Sequence, residues 1–126
     1  MTTMTFTDFV PGKTIGHDRF TVDAPWLAGW ATAVPGAAPA PGAMAMALAM
    51  RSYLSILCDR TPGNIHAHQT LSLRRPVVAG DTVVSTLACE HVELRNGRRR
   101  VVLALTAADA AGAALYQAQM TILWAR

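Results

Sequence analysis

The stretch G-A-M-A-M-A-L-A-M-R-S-Y-L-S-I-L, Gly42 to Leu57, decides how the rest of the chain must be arranged. Met44, Met46, Leu48, Met50, Tyr53, Leu54, Ile56 and Leu57 cover most of a helix's circumference, and the spacing predicts a helix from Ala43 to about Leu57, opened by Gly42. A helix that is apolar nearly all round has to be surrounded by protein. Its apolar run is broken by Arg51 and falls far short of the roughly 20 residues that span a bilayer, so it reads as a core helix and not as a membrane span.

What surrounds it is readable on either side. From Asn64 onward the chain shows four segments of period-2 alternation, separated by turn signals at Ala79-Gly80-Asp81, Arg95-Asn96-Gly97 and Ala111-Gly112. They are expected to form an antiparallel meander. Ile65, Ala67, Leu71 and Leu73 are expected on one face of the first strand. The second, Thr82 to Leu94, has apolar residues on both faces and is placed centrally in the sheet. Asn96-Gly97 supplies the positive φ that a tight hairpin needs. On the N-terminal side lie a strand from Thr14 to Val22 and a helix with Asp23 as N-cap and Pro25 in its first turn, running through Trp26, Leu27 and Trp30 until Pro35-Gly36 stops it. The economical way to bury the Gly42 helix is to curl an antiparallel sheet of about five strands around it, an α+β architecture. A ferredoxin-like arrangement needs a second amphipathic helix in the later half, and the sequence has none.

The totals agree. At 126 residues, 52% hydrophobic and 15% charged, the chain is expected to fold as a single domain, 1–126, with one core and no need of a metal or disulfide staple. Cys58 and Cys89 form no C-x-x-C pair, and M-T-T-M-T-F-T-D-F-V-P-G-K lacks the apolar segment of a secretory signal, so free thiols and a cytoplasmic location are expected. The formal net charge is +3, with Arg95, Arg98, Arg99 and Arg100 clustered at one hairpin. No aromatic residues interleave with them to stack on bases. The cluster is read as a solvated hairpin tip, with a phosphate or nucleic-acid patch as the alternative.

N-I-H-A-H-Q-T-L-S-L-R-R-P-V-V-A-G-D-T-V, Asn64 to Val83, resembles the strand-turn-strand of MaoC-like hotdog hydratases and dehydratases, where a strand ends in Arg-Pro-Val and turns through Gly-Asp. V-P-G-K-T-I-G-H-D-R-F-T-V-D before the first helix, Pro41-Gly42 at the central helix, and L-T-A-A-D-A-A-G-A-A-L-Y-Q-A in the last hairpin match in order and spacing. The resemblance implies the hotdog fold and a dimer whose sheets join edge to edge. It also implies a substrate that is an acyl thioester of coenzyme A or an acyl carrier protein, the carrier being part of the substrate and no separate cofactor being needed. The family's reaction is reversible addition of water to an enoyl thioester. An Asp and a His in a D-x-N-P-x-H loop before the central helix move the protons, and a backbone N–H at the helix start polarises the carbonyl.

Carried over residue by residue, Gly42 and Ala43 match the helix-opening amides, with Trp30 and Met44 beside them as candidate substrate-contacting side chains. The dyad does not carry over. Between Trp30 and Pro41 the sequence reads A-T-A-V-P-G-A-A-P-A, without an ionisable side chain. His68, and after it His66, are the candidate replacement bases. They lie two apart on a strand and are expected to share a face with Thr70 and Ser72. The alternative for this pair is a solvated or interface role, and no metal site is expected, because two ligands are too few. Three functions follow: a hydratase/dehydratase relative with altered or lost chemistry, a thioesterase using His68 near the Gly42 amide, or a non-catalytic subunit of a heterodimer whose partner keeps D-x-N-P-x-H. No nucleic-acid or membrane partner is expected.

Overall fold

The computed structural model describes residues 3–33 and 41–126. The expected stop at Pro35-Gly36 and most of the proline-rich stretch lie outside them. After a 3-10 turn, Phe6–Asp8, come β1 (Thr14–Thr21), α1 (Ala24–Ala33), α2 (Pro41–Ile56), β2 (Ile65–Leu73), β3 (Thr82–Arg95), β4 (Arg98–Ala108) and β5 (Ala114–Trp124). The five strands make one antiparallel sheet in the order β1-β3-β4-β5-β2.

That order corrects the four-strand meander. Only β3, β4 and β5 follow one another in space; β2 pairs with β5, and β1 takes the place beside β3. Alternation fixes which face a residue occupies but says nothing about which strand lies next. Here the link from Arg74 to Asp81 is too long for a tight hairpin, and it carries the chain across the end of the sheet. The link is held in place by charge. Arg75 donates to Asp81 at 2.9 Å and to Asp109 of the β4–β5 turn at 3.2 Å, while Asp81 also accepts from the Val78 amide at 2.8 Å. The Arg-Pro-Val and Gly-Asp motifs thus act as a clasp, and the Arg75 hydrogen bond, with the Val78 amide, holds the Asp81 carboxyl below its ordinary range.

β3 lies inside the sheet, flanked by β1 and β4. One of its faces, Val83, Ser85, Leu87 and Cys89, is fully buried. In register with it are Leu103, Leu105 and Ala107 of β4 and Tyr116, Ala118 and Met120 of β5, and this inner face holds α2 through Met44, Ala45, Leu48, Ala49, Ser52 and Tyr53. Each fully buried Leu or Met here contributes about 1.5–3 kcal/mol. The C-terminal end of α2 comes so close to β1 that a Cβ on Gly16 would stand 2.9 Å from Ile56, which requires glycine there. On the outer face Thr86, Ala88 and Ala104 are half-buried and Thr106, Gln117 and Gln119 exposed.

α2 is not enclosed all round. Met46 is 36% and Leu54 42% exposed, and with Ala43 and Ala47 they leave one flank of the helix open beside the edge strand β2. A single sheet covers one side of a helix. α1 is capped as expected, Asp23 accepting from the Trp26 amide at 3.0 Å, yet it buries no residue. The β3–β4 hairpin turns through Asn96 (φ 52°) and Gly97 (φ 75°), the left-handed pair a two-residue connection requires.

Candidate functional site

The helix-opening amides are in place. α2 begins at Pro41, which has no N–H to leave unpaired, so the first free donors are at Gly42 and Ala43. A side chain placed on Gly42 would meet nothing within 4 Å among the described residues, leaving room beside these donors. Sixteen residues of aligned peptide dipole stand behind them. Met44 points into the core and is 7% exposed. Trp30 is half-buried near the end of α1, its ring 5.8 Å from that of Trp26, which meets Phe20 edge-on at 5.9 Å. Its indole N–H is buried without a hydrogen-bond partner among the described residues.

The two candidate histidines do not share a face. β2 is bulged between them: His66 pairs with Ile122 and His68 with Thr121, so two steps along β2 match one step along β5. An extra residue, Ala67, resets the alternation. His66 therefore lies on the inner side with Gln69, Leu71 and Leu73, and His68 on the outer side with Thr70 and Ser72. The same bulge puts Ile65 on the outer face, 57% exposed, instead of with Leu71 and Leu73. Period-2 counting cannot detect such an insertion.

His66 stands edge-on to Tyr53, centroids 6.0 Å apart, in the second half of α2, and among the described residues neither histidine makes a hydrogen bond or ring contact with the first turn of that helix. Burial, partly offset by the Gln69 side chain, lowers the His66 pKa. The strand side chain nearest the helix start is Gln69, whose amide lies 2.9 Å from Met46 Sδ, one turn beyond Gly42. It is not titratable.

The polar cluster that the sequence reading missed lies between α2 and β1. Asp18, its side chain 10% exposed, accepts from Arg51 Nη1 at 3.0 Å and from Ser52 Oγ at 3.2 Å on one oxygen, and from Ser55 Oγ at 3.2 Å on the other. Ser52 has one proton and gives it to Asp18, so the buried Ser85, 3.1 Å away, donates to Ser52. Arg51 also lies over the Phe20 ring at 3.7 Å. Beside Ser85 the Tyr116 hydroxyl is buried without a hydrogen-bond partner among the described residues, and burial, opposed by Ser85, pushes its pKa up to about 12. The available signal was Arg51, Ser52 and Ser55, one polar face on an otherwise apolar helix. With Arg51 and two hydroxyls on it, the Asp18 carboxylate is a clamp between helix and sheet.

The remaining candidates are structural. His17 Nδ1 is 3.1 Å from Thr86 Oγ1 across the outer face. Cys89 is buried, which raises its thiol pKa, whereas Cys58 is exposed. Among the described residues no three His, Cys, Asp or Glu side chains gather to hold a metal ion. No helix of the described residues is long and apolar enough to cross a membrane.

A five-stranded antiparallel sheet packed against one long helix is shared with solved structures. A MaoC-like dehydratase from Rhodospirillum rubrum superposes with a TM-score of 0.74 at 16% identity, over 98% of this chain and 98% of that one. This is a hotdog fold. An R-hydratase from Pseudomonas aeruginosa gives a TM-score of 0.73 at 19% identity, covering 97% of this hotdog chain and 86% of the hydratase. The HadBC (3R)-hydroxyacyl-ACP dehydratase complex from Mycobacterium tuberculosis gives 0.65 at 22% identity, covering 84% and 90%. No protein-family model and no curated protein sequence matches the chain.

Proposed function

We propose that this hotdog chain binds an acyl thioester, of coenzyme A or an acyl carrier protein, in a hydratase/dehydratase assembly and relies on a second hotdog chain for the acid and base. The observation that carries the reading is the separation of roles in the site: among the described residues the helix-opening amides at Gly42 and Ala43 have no partner, and no titratable side chain makes a contact with them. Two donors backed by a helix dipole stabilise the negative charge that develops on a thioester oxygen when water adds to the conjugated bond. The proton that must leave the water and the one that must reach Cα need side chains, and among the described residues no hydrogen bond or ring contact joins His66 to that end of the helix.

Three features support a partner. The flank of α2 carrying Met46 and Leu54 is apolar and uncovered, β2 beside it is an edge strand with unpaired backbone groups, and one of the similar structures is a two-component dehydratase complex. In such an assembly a thioesterase role for His68 is disfavoured by its position on the outer face, away from α2.

The test is reconstitution. The chain is mixed with a hotdog protein from the same genome that carries D-x-N-P-x-H, and followed by native mass spectrometry and by loss of the enoyl-thioester absorbance. A heteromer that hydrates the substrate, and that loses activity when the partner's motif Asp is replaced by Asn, is expected. A stable homodimer that ignores every such partner and hydrates alone would overturn the proposal.

A further inference from the structure

We propose that the outer-face hollow at the β3–β4 hairpin is a binding site for the phosphate groups of a phosphorylated small molecule. Arg95, Asn96, Arg98 and Arg100 wall a hollow of about 300 Å³ whose remaining lining is Ala67 and Leu123, a size at the lower end of small-molecule pockets. The bulge that separates His66 from His68 is what brings Ala67 there, and its small side chain leaves the floor open. The site is remote from Gly42 and independent of the acyl-thioester reading.

Charge is the reason to assign it a ligand. Three guanidiniums meet in the hollow, equal to the whole formal excess of +3 on the chain. Among the described residues the acid against them is Glu93, which faces Arg100 across the strands, lies 4.0 Å from Arg95 Nε and is shared with His91 at 3.8 Å; Arg98 has no ion pair there. Arg95 and Arg98 face each other directly across the strands, a like-charge pairing that costs stability in a hairpin. A fold carries such a local conflict where a bound anion relieves it. Arginine's planar fork suits phosphate oxygens, which accept two N–H bonds from one guanidinium. Arg99, between Arg98 and Arg100 in sequence, points the other way and donates to the Ala125 carbonyl at 3.2 Å, so it is a built-in control.

The experiment is calorimetric titration of the whole protein, at fixed salt, with inorganic pyrophosphate, ADP, coenzyme A and a mixed-sequence single-stranded oligonucleotide. One saturable site per chain is expected for pyrophosphate and ADP, weakened about tenfold by Arg98→Gln and again by Arg100→Gln, and unchanged by Arg99→Gln. Ala67→Leu keeps every charge and narrows the floor, and it is expected to weaken binding as well. Coenzyme A binding clearly tighter than ADP would identify the phosphates as those of a thioester carrier; equal binding would identify a free nucleotide. The proposal is overturned by absence of saturable binding, by an equal loss in Arg99→Gln, by indifference to Ala67→Leu, or by an oligonucleotide that binds more tightly than ADP.

Discussion

Replacing Asp18 by alanine tests whether the helix–sheet clamp is what fixes α2 on the sheet. The carboxylate accepts three hydrogen bonds, from Arg51, Ser52 and Ser55. The Arg51 side chain is 37% exposed, so that ion pair is partly screened and contributes little; Ser55 is exposed as well. The loss falls mainly on Ser52 and Ser85, 2% and 0% exposed, whose hydroxyl chain then ends without an acceptor. A hydrogen bond to a buried charged group is worth about 1.5–3 kcal/mol, so the whole substitution should cost about 2–3 kcal/mol. Unfolding entropy of about 2.1 cal/mol/K per residue then gives a fall in Tm of about 10 °C for a chain of this length. Thermal unfolding followed by circular dichroism measures it, and a double-mutant cycle with Ser52→Ala should return a coupling of at least about 1 kcal/mol. A Tm fall below about 2 °C, or a cycle that closes to zero, would show that the cluster is solvated and not a clamp.

Other substitutions separate packing from site. Gly42→Ala is expected to leave stability unchanged or raise it by up to about 1 kcal/mol, because the new methyl meets nothing among the described residues and alanine is the better helix former; thioester affinity, read by fluorescence titration of the tryptophans, should fall. Tyr116→Phe removes a buried hydroxyl that has no partner among the described residues, so urea unfolding should show a change within about 1 kcal/mol or a gain; a larger loss would reveal a hidden partner. His66 has a lowered pKa in the folded chain, so its contribution to stability is present above the unfolded value near 6.5 and is lost as pH falls through the lower folded value. His66→Ala should flatten the stability profile in that acid window and leave it unchanged at pH 8.

How much of this was legible depends on which kind of signal each residue carries. The helix from Gly42, the Asn96-Gly97 turn and the Asp23 cap are local, set by spacing and by backbone preferences of the residues themselves, and the structure has all of them. Strand order is not local: β2 and β3 alternate just as neighbours would, yet β2 lies at the far edge beside β5. The single residue Ala67 shows the limit most clearly, since one inserted position moves His68 to the opposite face from His66 and nothing in I-H-A-H-Q marks it. Asp18 was invisible for another reason. Its three donors come from a helix more than thirty residues later, and only the folded chain brings them together.

The most direct test of the central claim is an assay of the purified chain alone, at high concentration, with a short trans-2-enoyl thioester. Loss of the conjugated absorbance and appearance of free thiol are read in parallel. The Gly42 amides can polarise the carbonyl but no base is brought to it, so both channels are expected to stay at the uncatalysed rate. Steady turnover in either channel by the chain alone would contradict the account, and its loss in His66→Ala or His68→Ala would identify the base.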